Sequence, residues 1–261
     1  MNHIDVGRYW DENAEAWTVL SRHGSDRWRN HVNAPAFIQM LGDVSGLHGL
    51  DVGCGEGYNT RLVADKGAHL TAFDISAKFL RYAVDEALAT GKPIRHLRAS
   101  GLEMPFPSER FDFVMATMSL MDMPNHDVAL AEIHRVLKPG GFLQFSICHP
   151  CFLTQDSRWV EDESGKRIGW MISNYFQPIY NEIEEWTFTG APATLQGIYP
   201  KFRVPRFERT LESWLNLVIT SGFVLECFDE PHPEGDALKE FPHHAFPPTV
   251  PFSLLIRCRK T

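Results

Sequence analysis

The sequence has no run approaching the ~18 consecutive apolar residues that a membrane-spanning helix requires. It has no cluster of lysine and arginine. With 33 acidic against 25 basic residues its formal net charge is -8. Phosphate neutralisation needs gathered cations, so nucleic acid is not an expected partner. Cysteines number only five, an odd count without the spacing of a disulfide framework, and reduced thiols in the cytoplasm are the default. The first residues, Met1-Asn-His-Ile-Asp-Val-Gly7, lack the apolar core of a secretory signal. What remains is a chain of 261 residues, 44% of them hydrophobic, large enough to bury one substantial core.

The most informative stretch is residues 47–57. Leu47, Leu50 and Val52 suit a buried strand, and Gly53, Gly55 and Gly57 follow at a spacing of two. Glycine accepts positive φ and has no Cβ, so such a turn lets backbone N–H groups approach a ligand. Tyr58, Leu62 and Val63 then mark a helix. Strand, glycine turn and helix open a doubly wound α/β sheet. The dinucleotide fingerprint G-x-G-x-x-G fits poorly, because the third glycine comes one residue early and Tyr58 stands where that pattern wants glycine. An acidic residue roughly 20 positions on is present: His69 to Asp74 reads as the second strand, with Asp74 placed to accept two ribose hydroxyls. Asp51, just before the turn, would repel a pyrophosphate and attract an ammonium or sulfonium.

Further along, Ser76 is a helix cap for a face of Phe79, Leu80, Ala83, Val84 and Leu88. Ile94 to Ala99 reads as a third strand and Phe111 to Ala116 as a fourth, with Thr117, Met118 and Ser119 at its carboxyl end. Asn125 opens a helix that Lys138-Pro-Gly-Gly141 stops, and Phe142 to Ile147 is a fifth strand. Thr210 to Ser221 is a helix ended by Gly222. Phe223 to Phe228 and Ser253 to Cys258 read as two closing strands. In the N-terminal region, residues 9–41 read as helical, with Asp11 as an N-cap and an interruption at Pro35.

Four segments in this order resemble the class I S-adenosylmethionine (SAM) dependent methyltransferases, and within them the small-molecule enzymes of the type 11 kind. They are Leu50-Asp-Val-Gly-Cys-Gly-Glu-Gly57, Phe73-Asp-Ile-Ser76, Phe111-Asp-Phe-Val114 and Arg135-Val-Leu-Lys-Pro-Gly-Gly141. The resemblance covers roughly residues 45–148 and resumes near 210. It implies a mixed seven-stranded Rossmann-like sheet, SAM as cofactor, S-adenosylhomocysteine as product and a small-molecule methyl acceptor. Expected cofactor contacts are Asp51, Gly53, Cys54, Gly55, Gly57, Asp74, Ile75, Ser100, Gly101, Leu102 and Met118. Ser100 departs from the family, which usually has an acidic residue there for the adenine amino group.

The organisation expected is a helical cap over residues 1–44, a SAM-binding core over 45–149, an antiparallel β insert over 150–208 as a lid on the acceptor, and a helix with a closing strand pair over 209–261. Related enzymes often fold an N-terminal segment such as Tyr9 to Trp17 over the cofactor. Cover for the sheet edge is the equal alternative. The insert is expected from the hairpin signal Asp162-Glu-Ser-Gly-Lys166 between Trp159-Val160 and Ile168 to Ile172, and from alternation at Ile183 to Phe188. Its aromatics line an acceptor pocket, form the insert's own core, or make a homodimer contact.

Methyl transfer is a direct displacement on an activated electrophile, so alignment and exclusion of water dominate, and a base matters only for a protonated nucleophile. His149, following the fifth strand, is the candidate base, against a structural histidine before Pro150. Cys148-His-Pro-Cys151 lacks the helix of a redox pair and the second C-x-x-C of a zinc site. His232, His243 and His244 read as loop rather than as metal ligands, and no metal is expected. The acidic runs at Glu161 and Glu184 read as exposed turns before they read as a cationic-acceptor site. Competing readings of the whole are a SAM-binding protein without transferase activity and an NAD-linked oxidoreductase.

Overall fold

The computed structural model describes residues 1–177, 179–188, 190–195, 197–241 and 249–261. His243 and His244 therefore lie outside the described residues. The first helix, α1 (His3–Arg22), begins earlier than Asp11: Asn2 is its cap, accepting from Asp5 N. Asp11 instead sits inside the helix and reaches across to another one. A π-helical turn, Arg29–Asn33, leads into α2 (Ala34–Leu41), where Pro35 falls in the first turn. Proline is tolerated there because that N–H has no intrahelical acceptor.

The core alternates β1 (His48–Val52), α3 (Tyr58–Ala64), β2 (His69–Asp74), α4 (Ala77–Ala89), β3 (Arg95–Arg98), β4 (Phe111–Thr117), α5 (His126–Val136) and β5 (Leu137–Cys148). Strand β5 starts directly after α5, so the helix ends at Val136, ahead of Lys138-Pro-Gly-Gly141, and those residues enter the strand. The insert supplies two antiparallel pairs. One joins β6 (Arg158–Glu161) to β7 (Arg167–Met171), and the other joins β8 (Tyr180–Trp186) to β9 (Phe202–Phe207). Helix α6 (Leu211–Thr220), β10 (Phe223–Asp229) and β11 (Ser253–Lys260) complete the chain.

The main sheet has seven strands in the order β10-β11-β5-β4-β1-β2-β3. All neighbours run parallel except where β11 lies reversed between β5 and β10. This is the doubly wound, mixed, Rossmann-like sheet expected. The order in which strands are added reverses between β1 and β4, and ligands in such sheets bind outside the strand carboxyl ends at that crevice.

Helices cover both faces. One core layer gathers Leu50, Val52, Val114, Ala116, Phe145 and Ile147 with Leu130, Ile133, Trp214 and Val218 of α5 and α6. The other gathers Phe37 and Leu41 of α2 with Val63, Leu70, Phe113 and Met115. At ~25 cal/mol per Å² of apolar area, these layers are the main favourable term in folding. Leu88, read from periodicity as buried, is 75% exposed near the end of α4. A third cluster joins the insert to α1: Trp17 packs against Trp186, Phe188 and Phe202, at ring-centroid distances of 5.3, 5.0 and 4.9 Å. These aromatics form a core between the insert and α1. Phe176, in contrast, is 80% exposed.

Candidate functional site

The turn after β1 is held by its neighbours. Gly53 N and Cys54 N both donate to Phe73 O at the end of β2, and Gly57 N donates to Cys54 O, each at 3.0 Å. Gly53, Gly55 and Gly57 take φ values of 74°, 55° and 82°, a region costly for any side chain. A Cβ at Gly53 would stand 2.6 Å from Ser119 Cβ, whereas one at Gly55 would meet nothing within 4 Å. The turn is therefore wedged on the β4 side and open at Gly55.

Two carboxylates flank that opening. Asp74, at the end of β2, accepts from Gly55 N with Oδ2 and from Ser76 N with Oδ1, both at 2.8 Å. Asp51 Oδ2 accepts from Thr60 Oγ1 at 2.6 Å. Neither has a cationic partner among the described residues. Burial pushes Asp51 up to about 7, with the Asp74 charge adding to the rise and Thr60 opposing it. Burial likewise pushes Asp74 up to about 6, with backbone donors led by Ser76 and Gly55 opposing and the Asp11 charge adding. An arriving positive charge would relieve both. Cys54 shares this field: burial, Asp74 and Asp51 together drive its thiol upward, keeping it protonated.

Glu56 is buried inside the same turn and meets three arginines. Arg22 of α1 and Arg61 of α3 each approach Oε2 at 3.1 Å, and Arg29 approaches Oε1 at 3.3 Å. Arg29 also lies over the Tyr58 ring, 4.0 Å from its centroid. This hub ties the N-terminal region to the glycine turn. It was not singled out from the sequence, because three arginines spread over some forty residues give no local pattern.

Helix α1 crosses the same edge of the sheet. Gly7 lies against Ile75, Asp11 Oδ1 accepts from Ser76 Oγ at 2.6 Å and from Lys78 N at 3.1 Å, and His3 Nδ1 is 2.8 Å from Ser100 Oγ. Ser100 Oγ also accepts from Leu102 N at 3.2 Å, and Gly101 lies so close to Met123 that a Cβ would fall 2.7 Å from its sulfur. Met118, at the end of β4, has φ 53° and donates its N–H to Ser146 O at 3.0 Å. Two surface grooves, of about 500 and 720 Å³, open elsewhere, one between α1 and the β8–β9 pair and one between α2 and β10.

The residues expected from sequence are thus placed as one arc. Asp51, Gly53, Cys54, Gly55 and Gly57 lie at the end of β1, Asp74 and Ile75 at the end of β2, Ser100, Gly101 and Leu102 beyond β3, and Met118 beyond β4. The open edge at Gly55 and the two carboxylates without cations fit a ligand carrying positive charge. Thr117 Oγ1, at the end of β4, is buried without a hydrogen-bond partner among the described residues.

His149 is also at the carboxyl edge, directly after β5, and is buried. Its Nδ1 accepts from Cys151 N at 3.2 Å, so Nε2 carries the proton and donates to Glu230 Oε1 at 2.7 Å. Both ring nitrogens are in use. Burial holds the Cys148 thiol up at about 12, which does not suit a redox pair, and all five cysteines are free. Among the described residues no group of three or more His, Cys, Asp or Glu gathers as a metal site.

Sequence reading also passed over Asp122. It ends a 3₁₀ turn, Leu120–Asp122, that follows β4. It is 8% exposed, and no side-chain hydrogen bond or ion pair engages it among the described residues. The available signal was an acid in the otherwise apolar run Leu120-Met-Asp-Met-Pro124.

Comparison with known proteins agrees with this geometry. Residues 50–145 match the family model described as "Methyltransferase domain". The chain is 36% identical over 127 residues to the demethylmenaquinone methyltransferase of Tropheryma whipplei (strain Twist), covering 48% of this chain and 49% of that protein. It is 32% identical over 115 residues to the malonyl-[acyl-carrier protein] O-methyltransferase of Pseudescherichia vulneris, covering 44% of each. The chain spans about half the length of the curated relatives it matches. Among solved structures, an S-adenosylmethionine dependent methyltransferase from Mesorhizobium loti superposes with a TM-score of 0.69 at 28% identity, covering 87% of this chain and 96% of that one.

Proposed function

Because residues 50–145 belong to the class I SAM-dependent methyltransferase family, we propose that the chain binds SAM at the glycine turn and transfers its methyl group to a small-molecule acceptor. The observation that carries this reading is the pair Asp51 and Asp74, buried without cations on either side of a turn open at Gly55. An NAD-type pyrophosphate would add negative charge to that pair, whereas SAM brings positive charge.

Bound SAM supplies a methyl group already activated on a sulfonium. The chain's own residues then have limited tasks. Each oxygen of Asp74 holds one backbone N–H and keeps a lone pair, which leaves room for a ribose diol. Asp51, held by Thr60, neutralises the methionyl ammonium or the sulfonium. The turn at Cys54 and Gly55 follows the methionyl chain. Ile75 and the segment Ser100 to Leu102 hold the adenine. Ser100 accepts more weakly than the acidic residue usual at that position, since charge-assisted bonds are roughly twice as strong. Met118 closes the crevice toward β4. His149, with both nitrogens committed, fixes the bend after β5. The acceptor enters on the side of β4, β5 and the insert, where the insert excludes water. Five free cysteines support a reducing compartment, the cytoplasm, as the place of this reaction.

Calorimetric titration with SAM, S-adenosylhomocysteine and NAD tests the reading. SAM and S-adenosylhomocysteine are expected to bind and NAD is not. Absence of heat with the first two, or stabilisation by NAD alone, would overturn it.

A further inference from the structure

We propose that Asp122 is the group that takes the proton from the acceptor's nucleophile, and that the acceptor is accordingly a hydroxyl compound. This deepens the preceding reading and rests on it.

The placement comes first. Met118 to Met123 bridge the two halves of the crevice. At one end Ser119 Oγ donates to Val52 O at 2.6 Å, at the root of the glycine turn. At the other, Met121 Sδ accepts from Cys148 N at 3.1 Å, at the end of β5. Asp122 is thus fixed between the donor turn and the insert, whose strand β9 packs on the same 3₁₀ turn.

The second observation is that this buried carboxylate has nothing to do inside the protein. Its side chain makes no hydrogen bond or ion pair among the described residues, although 92% of the residue's surface is covered (8% exposed). A buried carboxyl group kept for structure is ordinarily held by a hydrogen-bond partner. Arg206, the cation that acts on it, is already engaged by Glu184 and Glu208.

The charged surroundings are defined on each side. From β9 comes Arg206 and from β8 Glu184, with Glu208 paired to Arg206. From β5 the neighbour is Cys148, whose thiol stays protonated. From α5, His126 reaches Met121 O at 3.5 Å, and burial and Arg209 push it down to about 4, so it is neutral. Burial raises Asp122 to about 8, with Arg206 opposing and Glu184 adding. A carboxylate that basic matches a weakly acidic hydroxyl far better than an ordinary one.

The step balances. The acceptor oxygen attacks the methyl carbon, and an O–C bond forms as the C–S bond breaks. The electron pair of that bond stays on sulfur as a neutral thioether, and the hydroxyl proton passes to the Asp122 carboxylate.

The test uses tritium-methyl-labelled SAM and a protein-free metabolite extract of the source cells, with Asp122→Asn compared to wild type. The expected result is loss of about a hundredfold or more in methyl incorporation, with S-adenosylhomocysteine affinity and melting temperature kept. Asp122→Glu should recover part of the rate. Equal incorporation by wild type and Asp122→Asn overturns the proposal but not the methyltransferase reading. No incorporation by wild type overturns both. If Asp122→Asn does not fold, the wild-type pH profile decides: a rate that rises with pH and is half-maximal near 8 supports the assignment, and a flat profile between 6 and 9 overturns it.

Discussion

Gly7 of α1 lies directly on the side chain of Ile75: a Cβ on Gly7 would stand 3.0 Å from Ile75 Cγ1. Ile75 follows Asp74, so the helix is seated on the segment assigned to the adenosyl group. Gly7→Ala sets a tight contact with a movable side-chain end against a helix-propensity gain of about 1 kcal/mol, and stability should change little. Gly7→Leu cannot be seated without lifting α1. Overpacking of this kind costs about 1–3 kcal/mol, and S-adenosylhomocysteine affinity, read by calorimetry, should fall with it.

Glu56→Gln removes the negative charge that Arg22, Arg29 and Arg61 share, leaving Arg22 with Glu86 and Arg29 with Asp26. Breaking a buried pair typically costs 3–5 kcal/mol. Here the arginines keep some contact with water, which reduces the loss to about 2–3 kcal/mol. Urea denaturation should show that loss, and cofactor binding should weaken because the glycine turn loses its tie to α1.

Gly53→Ala meets two penalties: φ of 74° and a Cβ 2.6 Å from Ser119 Cβ. Strain of this sort is about 1–3 kcal/mol from backbone alone. The clash would also push Ser119 off Val52 O. Binding of SAM should be lost before the fold is, which circular dichroism and calorimetry on one sample can separate.

Cofactor affinity should depend on pH with a defined sign. Asp51 and Asp74 stand at about 7 and about 6 in the folded chain, both raised mainly by burial. Without ligand, raised acids bind protons more tightly when folded, so their stabilising contribution is complete below pH ~4 and is lost as pH climbs to ~7. A cationic ligand needs them ionised. SAM affinity should therefore strengthen from pH 5 to 8, and the ligand-induced rise in melting temperature should grow over the same interval. A calorimetric series that stays level, or runs the other way, would remove these two groups from the site.

Local pattern carried much of the fold. Strand β2 runs from His69 to Asp74 as its alternation suggests, and Ser76 caps α4, accepting from Phe79 N at 3.1 Å. What local pattern could not show were relations between distant segments. Asp11 read as a helix start because acids favour that position, but its carboxylate serves Ser76 and Lys78 more than sixty residues away. Leu88 fits the helical period and still faces water, since periodicity does not reveal what packs against each turn. The same limit applies to the site. Asp51 and the glycines are legible because they are neighbours in sequence. Asp122 stands out only when burial and the want of a partner are both known, and the commitment of His149 to Glu230 spans 81 positions.

The reversed strand β11 has a consequence for biosynthesis. Residues 253–260 lie between β5 and β10, so β5 has no partner on that side until they exist. Translation from Cys148 to Ser253 takes on the order of ten seconds at ordinary ribosomal speed. Throughout that interval a growing polypeptide displays an unpaired, strongly apolar edge, the kind of surface that invites aggregation. Expression yield should accordingly respond to chaperone supply and to growth temperature more than the finished protein's melting point would suggest.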